Sequence, residues 1–473
     1  MRRMHNDWGG QALAHPPGRR PIIGDALSGN PRKPIQSMMD RARGLGDLFE
    51  FKVFNQQFVF VAGAELCAEM CDEKRFAKAL PPAVEALREF GGDGLFTAFN
   101  HEPNWQLAHD ILMPAFTREA MERYHPVMIS TSDELFDYWD RGMGGERIDV
   151  SRDMTKLTME TLSRAAFSHD FGSFTGAQAH PFVTAMITAL RTGQRKGSFR
   201  AMPGAKYMMR KLDRENAPQQ RYLDTMLDEL IAERRSSGAD ERDLLGLMLG
   251  HRHPQTGQML DDVNIRHQIL TFLVAGHETT SGALSFALYY LATNPDVLRA
   301  AQQETDRILG PDRDAAPEYK QVAKFRYLRR VLDETLRLWP TAPGFGRSPR
   351  EDVTLSNGVS MRPQDWAIVL LPMVHRDPQV WGADADRFDP DRFLPENSRG
   401  RPPHSYKPFG TGERACIGRQ FAIHEAILVL ARLLHRYDIE ADPAYELTAS
   451  ERLTLQPEGF ELRLHERVPA VSV

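Results

Sequence analysis

FGTGERACIGRQFA, residues 409–422, places one cysteine, Cys416, between a glycine-rich turn and a run that reads as the first turn of a helix. Gly410, Gly412 and Gly418 allow a tight turn whose amide groups face the sulfur. The start of the following helix adds the positive end of its dipole. Both features stabilise a thiolate, which can ligate a soft metal or attack an electrophile. A small buried hydrophobe is the plain alternative. The chain of 473 residues has three cysteines, and the other two lie far upstream. Cys416 therefore has no local partner for a disulfide or a zinc site. Arg414, two residues earlier, invites an anion.

Outward from this stretch, 41% apolar residues allow a large core, and the net charge of -5 argues against a nucleic-acid binder. Few cysteines suggest a reducing compartment. Residues 1–20 are basic without the apolar core of a signal peptide. No run approaches the ~18 apolar residues of a membrane span. No repeat, low-complexity tract or Gly/Ser/Pro-rich linker divides the chain. The expectation is one cytoplasmic unit over 1–473.

Helical patterns dominate from about 64 to 340, with strand-like pieces at 48–63 around Asn55 and at 353–372 with turns at Asn357-Gly358 and Pro363-Gln364. Residues 419–437 return to helix, and 453–466 read as a closing hairpin. The longest helix is expected over Asp262–Ala292, roughly 46 Å, ended by Thr293-Asn294-Pro295. Its middle reads FLVAGHETTSG, where Gly276, His277, Glu278, Thr279 and Thr280 interrupt an apolar stripe. Glycine costs about 1 kcal/mol against alanine there. Either the helix kinks against a neighbour, or it passes a bound cofactor. Ala275 and Thr279 share one face, and Gly276 would let something bulky approach the backbone.

Phe409, Gly410, Gly412, Arg414, Cys416 and Gly418 together resemble the haem-binding signature F-x-x-G-x-R-x-C-x-G of the cytochrome P-450 haem-thiolate monooxygenases. AGHETT (275–280) resembles the family's oxygen-activation motif. Glu334 and Arg337 in DETLR (333–337) resemble its E-x-x-R pair, and FDPDRF (388–393) supplies Arg392 to complete it. GDGLFTAFNHEPNW (92–105) and TFLVAGHETTSG (271–282) are most similar to haem domains of bacterial fatty-acid hydroxylases fused to a diflavin reductase.

The resemblance implies a mainly α fold with small β-sheets, a triangular helical domain beside a β-rich lobe, and a single haem domain without a reductase. It implies haem b with Cys416 as axial iron ligand. Haem contacts are implied at Lys78, Leu95, His101, Trp105, Phe116, Ala275, Gly276, Thr280, Pro408, Phe409, Arg414, Ala415, Ile417 and Gly418. Thr279 and Glu278 become a proton path. Glu334, Arg337 and Arg392 become a buried structural trio. Phe96, Ala83, Val84, Leu87, Thr341, Ala342, Phe345 and Leu453 are expected to line the substrate channel. The implied activity inserts one atom of dioxygen into a C–H bond of a hydrophobic substrate, by resemblance a fatty acid. Electrons would come from NADPH through FAD and FMN of a reductase, or from a ferredoxin-type partner. A haem-thiolate protein that binds or senses a ligand without turnover is the alternative.

The chain departs from these hydroxylases at the channel mouth, where their carboxylate-binding arginine and tyrosine align with Gln56 and Phe60. A second basic feature is the stretch 191–214, RTGQRKGSFRAMPGAKYMMRKLDR, which falls in the family's lid. It reads as a solvated face, a site for an anionic or carrier-linked substrate, or a membrane contact. Cys67 and Cys71, four apart, read as packing.

Overall fold

In the computed structural model, residue 8 and residues 11–30, 32–142, 146–175, 180–199, 204–237, 242–451 and 453–468 are described. The helices that position the site are α1 (Ala64–Met70), α2 (Pro82–Glu85), α3 (Pro103–Leu112), α4 (Arg118–Asp140), α5 (Val150–Phe167) and α6 (Pro181–Phe199). They continue with α7 (Ala205–Ser237), α8 (Asp262–Thr293), α9 (Pro295–Leu309), α10 (Arg326–Leu338) and α11 (Arg419–Arg436). α8 starts where the Asp261 side chain accepts from Asn264 N at 2.8 Å. It stops before Pro295, which cannot continue the ladder. It is apolar nearly all round, as a helix enclosed by others must be, and it packs most extensively on α5. The expected longest helix is second. α7 has 33 residues against 32 for α8, because Pro218 sits inside α7 without ending it.

The strands are β1 (Leu48–Val53), β2 (Gln56–Val61), β3 (Phe76–Ala79), β4 (Ile148–Asp149), β5 (Gly344–Pro349), β6 (Val353–Thr354), β7 (Ser360–Met361) and β8 (Ala367–Leu370). The last four are β9 (Tyr437–Ala441), β10 (Ala449–Glu451), β11 (Leu455–Pro457) and β12 (Glu461–Glu466). β1 and β2 form the expected hairpin, with Phe54 in the left-handed region at φ 52. They belong to a sheet ordered β1-β2-β8-β5-β3, which brings the two ends of the chain together. The expected closing hairpin does not form. β11 pairs with β10, and β12 pairs with β9 and β4. Alternation alone does not choose a partner.

A large apolar cluster joins α4, α8, α10 and α11. A second joins α3, α5, α6 and α7 to the first half of α8. Among the buried acids, Glu425 of α11 is 1% exposed. One of its oxygens has no partner. Burial pushes its carboxyl up to about 8, with the Thr161 hydroxyl opposing. The unfolded chain loses this proton near pH 4.5, whereas the folded chain keeps it. Between those values the folded state binds more protons, so stability falls as pH rises, by roughly 1.4 kcal/mol per unit at most. Glu425→Gln removes this slope. Its thermal midpoint relative to wild type should therefore be higher at pH 8.5 than at pH 5. Parallel midpoints at both pH values would contradict a buried, protonated Glu425.

Candidate active site

The middle of α8 is where the interior opens. From Gln268 to Leu288 every residue is buried except Ala275, Gly276 and Thr279. These lie at i, i+1 and i+4, one narrow strip of the helix. A helix covered elsewhere and reachable along one strip faces an internal hollow. Thr279 Oγ1 donates to Ala275 O at 2.7 Å. Thr280 is buried, turned off the strip. Glu278 is buried as well, and its carboxylate accepts from Thr454 Oγ1 at 3.3 Å. Hydroxyl and carboxylate thus leave the helix in different directions. A Cβ on Gly276 would lie 2.7 Å from Leu162 Cδ2. The neighbour that crowds Gly276 is therefore the Leu162 side chain of α5.

The cysteine loop is shaped by Gly410 and Gly412, at φ 74 and 64. A Cβ at Gly412 would lie 2.1 Å from the Glu73 carboxyl carbon. Glu73 is held in turn by Arg347 Nη2 at 2.8 Å. Cys416 N donates to Phe409 O at 2.8 Å, closing the loop. Cys416 is exposed. Yet burial pushes its thiol up, opposed by the Gly418 backbone N–H and the Arg419 charge. A sulfur that is reachable and still dehydrated faces an enclosed hollow, not bulk water. Ile417, Leu95, Phe116 and Leu453 pack against the cluster that contains Phe272, Leu273 and Val274 of α8. Phe116 stacks on Phe272 at 5.9 Å. The loop and the open strip therefore share one apolar wall. Pro408 and Phe409 are half-buried and Ala415 is exposed.

Two cations stand together nearby. Arg414 Nη2 donates to Ala98 O at 2.6 Å, and the guanidinium lies 4.4 Å over Trp105. Its Nε is buried without a partner, and burial lowers it to about 10. Lys78 donates to Phe96 O and lies 5.2 Å from that ring. Burial, then the Arg414 charge, lower it to about 7. Among the described residues no carboxylate is hydrogen-bonded to either. Dehydrated cations in this state suit an anion. His101 is exposed and stacks on Phe99 at 5.6 Å.

The loop carrying Leu95 and Phe96 is pinned to α8 by Asp93, which meets His267 Nδ1 at 2.7 Å and Asn264 Nδ2 at 3.0 Å. A Cβ on Gly94 would lie 2.2 Å from Thr271 Oγ1, which is why GDG carries its second glycine. Of the expected channel residues, Phe96, Ala83 and Ala342 are exposed, and Val84 and Leu453 half-buried. Leu87 and Thr341 are almost fully covered by neighbours. Phe345 packs against the core of the β1–β8 sheet.

Glu334 and Arg337 form a bidentate pair at 2.6 and 2.7 Å with no exposure at either side chain. Arg337 also donates to the carbonyls of His375, Ala385 and Arg387. Arg392 Nε lies 3.6 Å from Glu334 Oε1, an ion contact rather than a hydrogen bond. Arg392 instead holds Trp381 O and Asp384 O. The sequence reading missed His375. Its Nδ1 meets Arg337 O at 3.2 Å, and its Nε2 accepts from Lys407 N at 2.9 Å. Burial, then the Arg337 charge, lower it to about 3, so the ring stays neutral and bridges the pair to the cysteine loop. No local signal marked it, because both partners are distant in sequence. Arg337→Ala would leave the buried Glu334 charge with only the looser Arg392 contact and the Asp389 N–H, a cost of about 3–5 kcal/mol. The yield of haem-loaded chain and its unfolding midpoint should both drop. An unchanged midpoint would remove the pair from holding this region.

The family model for cytochrome P450 matches residues 14–464. The chain belongs to the cytochrome P450 family. It is 44% identical over 436 residues to a bifunctional cytochrome P450/NADPH–P450 reductase of Bacillus subtilis, covering 92% of this chain and 41% of that protein. A bifunctional cytochrome P450/NADPH–P450 reductase of Bacillus cereus is 42% identical over 93% of this chain and 41% of its own length. A self-sufficient cytochrome P450 monooxygenase of Phanerodontia chrysosporium is 39% identical, with 93% and 41% covered. The chain thus spans about two fifths of the length of these relatives. The cofactor of the P450 family is haem, and the residues present fit it. The dehydrated Cys416 sulfur suits a soft metal, and the unpartnered Arg414 Nε beside Lys78 suits an acidic edge group. Among the described residues no helix of this P450 is long and apolar enough to cross a membrane.

Proposed function

We propose that residues 1–473 form one haem domain of a monooxygenase that acts on a hydrophobic chain, a fatty acid or a close derivative. The observation that carries this reading is the Cys416 sulfur, reachable yet dehydrated, beside the one open strip of α8. When bound, haem supplies the redox chemistry that divides dioxygen between water and a substrate hydroxyl. Cys416 would hold the iron, and the Gly418 amide, which faces the sulfur, would temper its donor strength. Arg414, assisted by Lys78, takes the acidic edge of the cofactor. Thr279 offers a hydroxyl to the hollow, where a water can pass protons inward. Glu278 serves that path only if its carboxylate leaves Thr454. Electrons come from NADPH through a reductase, as the names of the Bacillus relatives support.

Phe96 is 38% exposed although it is large and apolar, as a ring that meets a substrate would be. Gln56 is half-buried at the β1–β2 turn, and Phe60 is buried and stacked on Phe49 at 5.3 Å. Neither offers a charge to a carboxylate. The test is a spectral titration with chains of graded length and head group, followed by NADPH-driven turnover with an added reductase. Hydroxylated product is expected, and Phe96→Ala should redistribute its position along the chain. Ligand-induced spectra without any product would favour a sensing role instead. An unchanged product profile would place Phe96 outside the channel.

A further inference from the structure

The basic stretch at 191–214 divides into two kinds of residue. Lys196 is buried and bonded to Glu89 and Asp213, an internal strut between α2's neighbourhood and α7. Arg200 lies outside the described residues. Arg191 and Arg195 on α6, and Lys206, Arg210, Lys211 and Arg214 on α7, are exposed. Among the described residues, Lys211 alone of these six has an acid within ion-pair distance, Glu215 at 3.9 Å. Lys206, Arg210 and Arg214 repeat every fourth residue, so they form a single stripe along α7. Like charges at that spacing weaken a helix. Four of the six acidic residues of α7, Asp224, Asp228, Glu229 and Glu233, lie in its other half, while Asp213 and Glu215 sit among the cations and are engaged with Lys196 and Lys211. A chain of net charge -5 thus gathers exposed positive charge on one patch.

The patch has a definite place. α6 presses on the α2 segment: a Cβ on Gly197 would lie 3.4 Å from Ala83 Cα, and one on Gly193 would lie 3.7 Å from Leu87 Cδ2. The cations therefore cover the outside of the helix pair whose inner side meets the proposed channel. Six cations spread over two helices are too many for one carboxylate. The large apolar side chain standing out among them is Tyr207, 76% exposed, while Leu212 is turned inward. Among the described residues six cations accompany one exposed ring, and a face so dominated by charge suits an acidic protein surface, with bilayer binding as the opposing outcome.

We infer that α6 and α7 dock an acidic carrier protein that presents its acyl chain on a prosthetic arm, so that the substrate is a carrier-bound thioester rather than a free acid. This rests on the reading of the chain as a hydroxylase of acyl chains. The neutral Gln56 and Phe60 agree with a substrate whose carboxyl is already esterified. The reaction balances as C–H plus dioxygen, NADPH and a proton giving C–OH, water and NADP+. The thioester is unchanged throughout.

The test uses the haem-loaded full chain and three probes: a long-chain acyl carrier protein, the same fatty acid free, and phosphatidylserine vesicles. The acylated carrier should bind about ten-fold tighter than the free acid at low salt, and lose that advantage at high salt. Replacing Lys206, Arg210 and Arg214 together by Glu should weaken carrier binding by about ten-fold or more. Free-acid binding and the ferrous-carbonyl spectrum should not change. The milder triple change to Gln should fall between the two. Equal carrier binding in wild type and both triple variants overturns the proposal. So does vesicle binding that alone responds to these changes. Loss of the spectrum and of free-acid binding in wild type itself would instead sink the haem-site reading beneath it.

Discussion

Replacing Cys416 by His should abolish the strongly red-shifted Soret band that the ferrous-carbonyl complex of the wild-type chain is expected to show. The band reports a thiolate opposite the carbonyl, because sulfur pushes electron density toward the iron. Cys67 and Cys71 are buried against α1 and the sheet, so no other sulfur can replace it. Histidine can still ligate iron, and the loop geometry survives because it depends on Gly410, Gly412 and the Cys416 N to Phe409 O bond. The variant should therefore hold haem with an ordinary, unshifted carbonyl spectrum and lose monooxygenase turnover. A variant that keeps the shifted band would place the ligand elsewhere.

Thr279→Ala should consume NADPH at a comparable rate while forming at least about ten-fold less hydroxylated product, the balance appearing as hydrogen peroxide. Positioned proton donors contribute about 10²–10⁴-fold, and Thr279 is the one hydroxyl on the open strip of α8. Its bond to Ala275 O at 2.7 Å fixes the oxygen at the edge of the hollow. Alanine keeps the helix and removes that oxygen. Substrate affinity should stay within about two-fold, since the lost group is small and apolar contacts dominate. Thr279→Ser should restore most of the coupling. Equal product per NADPH in Thr279→Ala and wild type would take Thr279 out of the proton path. Glu278→Gln gives a useful contrast. Its carboxylate accepts from Thr454 Oγ1, so a smaller loss there would show that the hydroxyl acts without it.

The local features of the site were legible in the sequence by itself. Glycine at 410, 412 and 418 around Cys416 allowed a tight turn, and Gly410 and Gly412 take left-handed φ while Gly418, at φ -83, does not. The i, i+3 spacing of Glu334 and Arg337 placed them on one helical face, and they meet bidentately. The broken stripe in α8 marked the segment where the interior opens. Each of these is a statement about neighbours within one turn of chain, where covalent geometry limits the outcome.

What only the tertiary structure decided involves partners far apart in sequence. His375 joins Arg337 to Lys407, and Asp93 ties its loop to α8. β12 pairs with β9 and β4 rather than β11. Gly276 answers to Leu162. Lys196, one cation in a basic run, became a buried strut while its neighbours stayed in solvent. A sequence states which groups must be satisfied; packing chooses which distant group satisfies them, because burial makes an unpaired charge or amide too costly to leave and so selects a partner among many that local spacing allows.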